Sequence, residues 1–321
     1  VADGTFNFYD TEKKTAYQDC YASLNAGKTL GIGNYDSANI IHSNGKFYLL
    51  VGTSTSNRDH FYIVDAKTLY YENSAAVGAN LSGLTILNEQ YGLVTGDGIR
   101  RIDLKSLNNV RIKNERLLCF YNSIIYNGKV LSNDTYKDES KVKYYDVNEL
   151  IAAKEGEAPA VTELDIIQKQ KINFVLAKDG NVYTLESADN GCNIVKIKND
   201  FTLEKVFANF QPAKGPYHSS PTIGMVASET ENIIYLVSTD GAIYKYILGD
   251  SDSLKAPFIA AESGVSITAP LQLNQQSGEL YVTYTEELKD ESKIVVYSKD
   301  GKVLHTVDCG ESVPSQILFN N

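Results

Sequence analysis

One phrase recurs down this chain and limits what it can become. It reads Asn44-Gly45-Lys46-Phe47-Tyr48-Leu49-Leu50-Val51, then a polar loop, then His60-Phe61-Tyr62-Ile63-Val64-Asp65. Asn-Gly supplies two residues at ease with positive φ, as a type I′ turn requires, and the β-branched and aromatic runs suit a pleated, half-buried surface. Related turns return at Asn127-Gly128, Asp179-Gly180, Asp240-Gly241 and Ser277-Gly278, each beside short apolar runs. A repeat of this kind constrains architecture before any single segment does.

Read as four-stranded meanders, the first unit takes residues 39–41, 47–51, 61–65 and 70–75, and the second takes 84–87, 91–95, 98–103 and 109–112. The third takes 123–125, 129–131, 142–146 and 161–164, with a helix-compatible insertion over 148–157. Three more follow: 172–176, 182–185, 193–197 and 203–207; then 221–226, 233–237, 242–247 and 257–260; then 270–273, 280–284, 294–297 and 303–307. The ends of the third strands, at Asp10, Asp65, Asp103, Asp146, Lys198, Ile247 and Ser298, are spaced by roughly 38 to 55 residues, the range of propeller blades.

Residues 5–10 and 15–18 read as a third and fourth strand without a beginning, and 314–319 as a first strand without a continuation. The expectation is therefore an all-β, seven-bladed β-propeller. It forms a single domain over residues 1–321 with four-stranded antiparallel blades, and the N- and C-terminal strands share one blade that lacks its second strand. Joining the ends in this way removes an open sheet edge. A solenoid or an open sandwich does not explain two complementary half-units.

Composition narrows function by exclusion. Hydrophobic content of 43% supports a proper core, and Tyr 22 against Trp 0 and Met 1 favours strands whose outer ends meet water. The net charge of −10 argues against a nucleic-acid partner, because phosphate binding draws on Lys and Arg. No run of 18 apolar residues exists to span a membrane. Starting at Val1 without Met suggests a trimmed or mature form, for which a signal peptide or lipid-bearing cysteine would lie upstream. Cys20, Cys119, Cys192 and Cys309 form no CxxC pair, which removes zinc-knuckle and thioredoxin motifs; free thiols are expected for most, with three disulfide pairings open.

In a propeller, the loops joining second to third strands and fourth strands to the next first strand converge on one face, where ligands sit. Here they are 34–37, 52–59, 133–141, 211–220 and 284–292, carrying Tyr35, Asn57, Arg58, Tyr136, Lys137, Tyr217, His218 and Tyr284. Tyr and Arg offer flat area with a hydrogen-bonding tip, the usual anchors of a recognition surface. The candidate ligand-binding residues are Tyr35, Asn57, Arg58, Tyr136, Tyr217, His218 and Tyr284.

No catalytic constellation stands out. His218 lies in Gly215-Pro216-Tyr217-His218-Ser219-Ser220, but neighbours on an extended chain point oppositely and there is no Gly-x-Ser-x-Gly elbow. The acidic runs 134–139, 250–252 and 286–291 lack the order of a calcium loop, and lysines interleave two of them. Gly31-Ile32-Gly33 precedes a strand, unlike a dinucleotide fingerprint.

With Ser220-Pro221-Thr222-Ile223, Ala269-Pro270-Leu271, Asp300-Gly301-Lys302-Val303-Leu304 and the closing Gly310-Glu311-Ser312-Val313-Pro314-Ser315-Gln316-Ile317 in view, the chain resembles the YncE-like, surface-layer-type propellers, most closely the secreted seven-bladed propellers of Bacteroides-type bacteria. Members of that family carry one more N-terminal strand than this chain. Some are outer-membrane lipoproteins that capture cobalamin or other scarce nutrients beside a transporter. The resemblance implies a binding role; together with the fold and the lack of a catalytic constellation it leads to the expectation of a non-enzymatic binding protein without a cofactor, exported to the cell surface or periplasm. It would take a small molecule or glycan for a partner such as a TonB-dependent transporter. The rival expectations are a protein–protein scaffold of a surface complex and a propeller hydrolase or lyase.

Overall fold

The computed structural model describes residues 6–28, 30, 39–51, 59–78, 81–96, 98–113, 123–133, 140–157, 159–168, 173–213, 224–286, 291–310, 314 and 317–319. The chain divides into two compact units. The first holds Val1–Lys137 and Lys143–Glu163 with Asn320, and the second holds Asp138–Val142 and Leu164–Phe319 with Asn321.

In the first unit a short hairpin, β1 (Phe8–Asp10) and β2 (Thr15–Tyr17), leads into helix α1 (Cys20–Leu24). Blade one follows as β3 (Asn39–Ser43), β4 (Lys46–Val51), β5 (Asp59–Asp65) and β6 (Tyr71–Gly78), paired in chain order. Asn44 and Gly45 have φ of 50° and 68°, the positive pair that the Asn-Gly turn was read to supply. Blade two is β7 (Leu81–Ile86), β8 (Tyr91–Gly96), β9 (Gly98–Asp103) and β10 (Asn109–Lys113). Blade three is β11 (Ile124–Tyr126), β12 (Lys129–Asn133), β13 (Ser140–Asp146) and β14 (Val161–Gln168), the last two strands being divided between the units.

The second unit contains blade four, β15 (Val175–Leu176), β16 (Val182–Ala188), β17 (Gly191–Ile197) and β18 (Leu203–Phe210). Blade five has three strands, β19 (Met225–Ala227), β20 (Ile233–Val237) and β21 (Ile243–Ile247). Its expected fourth strand at 257–260 survives as a single bridge between Ile243 and Ile259. Blade six is β22 (Val265–Ile267), β23 (Gln272–Leu273), β24 (Leu280–Glu286), β25 (Ser292–Tyr297) and β26 (Val303–Gly310). Both β22 and β23 pair antiparallel with β24, with the register shifted by two residues between them, so the first-strand position is filled by two separate pieces. Pro270, which has no N–H to give a ladder, lies in the gap between them.

This makes six blades on a four-strand plan, and corrects the expected seven. Of the segments read as parts of a seventh blade, β1 is paired with β2 alone among the described residues, and 317–319 is not a strand. Packing explains why. Phe6 stacks on Phe47 of blade one at 5.5 Å and tilts against Tyr21 of α1 at 6.0 Å. Asn25 completes the attachment: its amide donates to the carbonyls of Tyr21 (2.9 Å) and Leu69 (2.8 Å), and its oxygen accepts from the Tyr71 amide (2.6 Å). At the other end Phe319 sits edge-on to Tyr281 of blade six at 5.0 Å. Among the described residues, each terminal segment is thus tied to the blade nearest it in sequence.

The aspartates that end the third strands build one repeated corner. Asp65 accepts from the amides of Lys67 (3.1 Å) and Thr68 (2.8 Å) and from the Thr68 hydroxyl (2.8 Å). Asp103 does the same with Lys105 and Ser106. Leu69 and Leu107 both take φ of 58°, an uncommon left-handed state for leucine, which the corner holds in place. In blade three Asp146 caps the amides of Asn148 and Glu149 instead, and the chain continues into helix α2 (Val147–Ala152) with Leu150 buried. The helix-compatible insertion read over 148–157 is helical as far as Ala152. Its open C-terminal carbonyls are met by Arg101, whose guanidinium donates to Ala153 O at 3.1 Å and also to Ile151 O.

Hydrogen bonds from Thr68 and its amide, helped by Lys46 at 3.1 Å, lower the Asp65 pKa from 3.8 to about 2. A carboxyl depressed in the folded state contributes stability above its unfolded pKa and loses it as pH falls through the folded one. The urea midpoint is therefore expected to fall between pH 4 and pH 2 more steeply in the native chain than in Asp65→Asn. At neutral pH, Asp65→Ala is expected to cost about 1–2 kcal/mol, since the three hydrogen bonds that close the corner are lost together with the Lys46 contact.

Candidate functional site

The loops expected to carry recognition fall largely outside the described residues. Tyr35, Asn57, Arg58, Tyr136, Tyr217 and His218, and Lys137 with them, all lie there. Tyr284 is described, and it is a strand residue of β24 that is 3% exposed. Its phenol shares a 3.0 Å hydrogen bond with that of Tyr297, and burial together with that bond pushes its pKa up. Of the four cysteines, Cys20, Cys192 and Cys309 are free thiols, and Cys119 lies outside the described residues.

The second unit contains a cavity of about 380 Å³ between blades four and five. Blade four supplies Asp179, from the turn between β15 and β16, with Tyr183, Lys196 and Glu204. Blade five supplies Asn232, Tyr246, Leu248 and Ser251. These residues sit in or next to the turns joining first to second and third to fourth strands. In an antiparallel meander that is the opposite end from the loops singled out in the sequence.

Three side chains of blade four form a closed polar set. Asp179 accepts from the Tyr183 hydroxyl at 2.9 Å and from Lys196 Nζ at 2.8 Å. Tyr183 and Lys196 face each other across the β16–β17 ladder, with the ammonium 5.8 Å from the ring centre. Burial works to raise the Asp179 pKa, but the bonds from Lys196, Tyr183 and the Asn181 amide outweigh it and hold the pKa below the ordinary carboxylate value. Burial, reinforced by the bond to Asp179, pushes the Tyr183 pKa up. The Asp179 carboxylate and the neutral Tyr183 phenol are thus each favoured by their surroundings.

Sequence reasoning missed this cluster, although a signal existed. The turn at Asp189-Asn190 fixes the β16–β17 register, which puts Tyr183 opposite Lys196 on one face, near the Asp179-Gly180 turn. Among the described residues no group of three or more His, Cys, Asp or Glu side chains is gathered in a way that could hold a metal ion. No helix among them is long and apolar enough to cross a membrane.

The family model described as "Domain of unknown function (DUF5074)" matches residues 1–320. The chain belongs to the DUF5074 family. Among solved structures, this DUF5074 chain is similar to a quinonprotein alcohol dehydrogenase-like protein of Bacteroides thetaiotaomicron, at 99% identity and a TM-score of 0.94, over 100% of this chain and 77% of that one. It also shares its fold with the β-propeller domain of Swd1 from Myceliophteria thermophila, at 13% identity and a TM-score of 0.51, over 86% of this chain and 90% of the other. A functionally unknown protein of Desulfotomaculum acetoxidans matches at 13% identity and a TM-score of 0.55, covering 95% and 92%. No curated protein matches. The DUF5074 fold is thus an all-β propeller, and the blades described above are its unit.

Proposed function

We propose that this DUF5074 propeller is a non-enzymatic binding protein, exported to the cell surface or periplasm, that captures a small molecule or glycan on its loop face for a partner transporter. The observation that carries the non-catalytic part is electrostatic. Catalytic acids and bases work best with pKa values near the operating pH. In the described cavity the Asp179 carboxyl is held down and the Tyr183 phenol is pushed up, so both move away from neutrality. Within this cleft the two groups present fixed donors and acceptors and are not poised to exchange protons.

The resemblance read from the sequence motifs to nutrient-capturing surface propellers is the ground for capture, and the DUF5074 match over nearly the whole chain supports treating the propeller as the functional body. Titration calorimetry against cobalamin, haem and oligosaccharides is the direct screen. Calorimetry is apt because Trp 0 leaves no indole to report binding. Saturable heat with one class is expected; a flat response to all three would count against capture.

A further inference from the structure

We infer that the cleft between blades four and five is a second recognition site, separate from the loop face, for an uncharged molecule rich in hydroxyl groups: a saccharide unit. The argument begins with what the lining leaves available. Asn232 and Ser251 are exposed, and neither side chain makes a hydrogen bond among the described residues. Each offers both a donor and an acceptor, as a hydroxyl-bearing ligand needs.

The charged groups of the cleft are already matched. Asp179 is paired with Lys196 at 2.8 Å and Glu204 with Lys198 at 2.9 Å. An ionic ligand would therefore have to break an existing pair, whereas a neutral one can hydrogen-bond to the unused lone pairs and N–H groups of these same ions. Such bonds to charged groups are the stronger kind. Val206 and Leu248 add apolar lining that suits the C–H groups of a sugar ring. A flat aromatic ligand is disfavoured, because Tyr183 and Tyr246 are each 2% exposed and offer no open ring face.

The cleft is also held in shape before anything binds. The Leu248 amide donates to Asn232 O at 2.9 Å, joining the two turns of blade five. Asp250 caps the 3-10 turn Ser251–Leu254 through the Asp252 amide, which sets the position of Ser251. A volume of about 380 Å³ lies within the range of roughly 300–1,000 Å³ usual for small-ligand pockets. Rigidity of this sort lowers the ordering cost of binding.

Saturation-transfer NMR on the full chain tests this, with glucose, galactose, N-acetylglucosamine, maltose and cellobiose as probes, and with spermidine and inorganic phosphate as charged controls. Transfer from at least one saccharide is expected, with none from the controls. The double variant Asn232→Ala/Ser251→Ala should weaken it by about tenfold, the loss of two modest hydrogen bonds. Both positions are exposed, and an unchanged circular-dichroism melt will show that the variant is folded. Three results would overturn the site: no saccharide signal, a signal untouched by the double variant, or preference for a charged control. The loop-face reading is judged separately. A ligand whose calorimetric heat survives the double variant belongs to that face, and a saccharide whose signal is lost belongs to the cleft.

Discussion

Replacing Phe61 with alanine is expected to lower the unfolding free energy by about 3–5 kcal/mol, the cost of deleting a large aromatic side chain from a packed interior. Phe61 lies on the third strand of blade one and is 0% exposed. It stacks on Tyr48 at 6.1 Å and belongs to a cluster that continues through Leu84, Val94 and Ile102 of blade two. The cavity it leaves would sit where two sheets face each other, and β-strands held by ladders on both sides cannot collapse far to fill it. Urea unfolding followed by circular dichroism will measure the loss. A change below about 1 kcal/mol would mean that the two blades are not packed as described.

Gly191→Ala should be nearly as damaging, through the backbone. Gly191 begins β17 with φ of +118°, a region that residues with a Cβ scarcely enter. An added methyl would stand 2.5 Å from the carbonyl oxygen of Phe210 and also meet the Gln211 amide. The expected cost is about 2–3 kcal/mol, from strain and displacement of β18 together. Gly128→Ala is the matched control: its φ is +71° and a Cβ there meets nothing within 4 Å, so about 1 kcal/mol is expected. The comparison bears on function, because the β16–β17 hairpin that Gly191 closes sets Tyr183 opposite Lys196 at the cleft. Equal losses in the two variants would remove the close approach of β18 from the account.

The blade plan was legible because its punctuation is chemical. Asn44-Gly45 and Asn127-Gly128 take the positive φ values their residue types favour, and the strands on either side follow from alternation. The blade count was not legible from the same signals. Residues 8–10 and 15–17 do form strands, yet periodicity says nothing of which sheet a strand joins. That choice was made by Phe6 on Phe47 and by Asn25 on the Leu69–Tyr71 corner, contacts between segments far apart in sequence. Likewise, Pro270 was read as opening a first strand and instead marks the interruption between β22 and β23.

Site residues were harder to find for a related reason. With 22 tyrosines, an aromatic ring in a loop discriminates little, and Tyr284 turned inward to Tyr297. The cleft drew on turns that had been read only as connections. Asp179 and Asn232 became neighbours of one cavity through the packing of two blades, which no local pattern encodes.

Equilibrium dialysis of the intact chain against the nutrient panel, followed by mass spectrometry of whatever is retained, tests most directly whether this propeller binds without reacting. Saturable retention of one compound, recovered with its mass unchanged, is the predicted result. Retention of nothing, or recovery of a compound altered in mass, would contradict it.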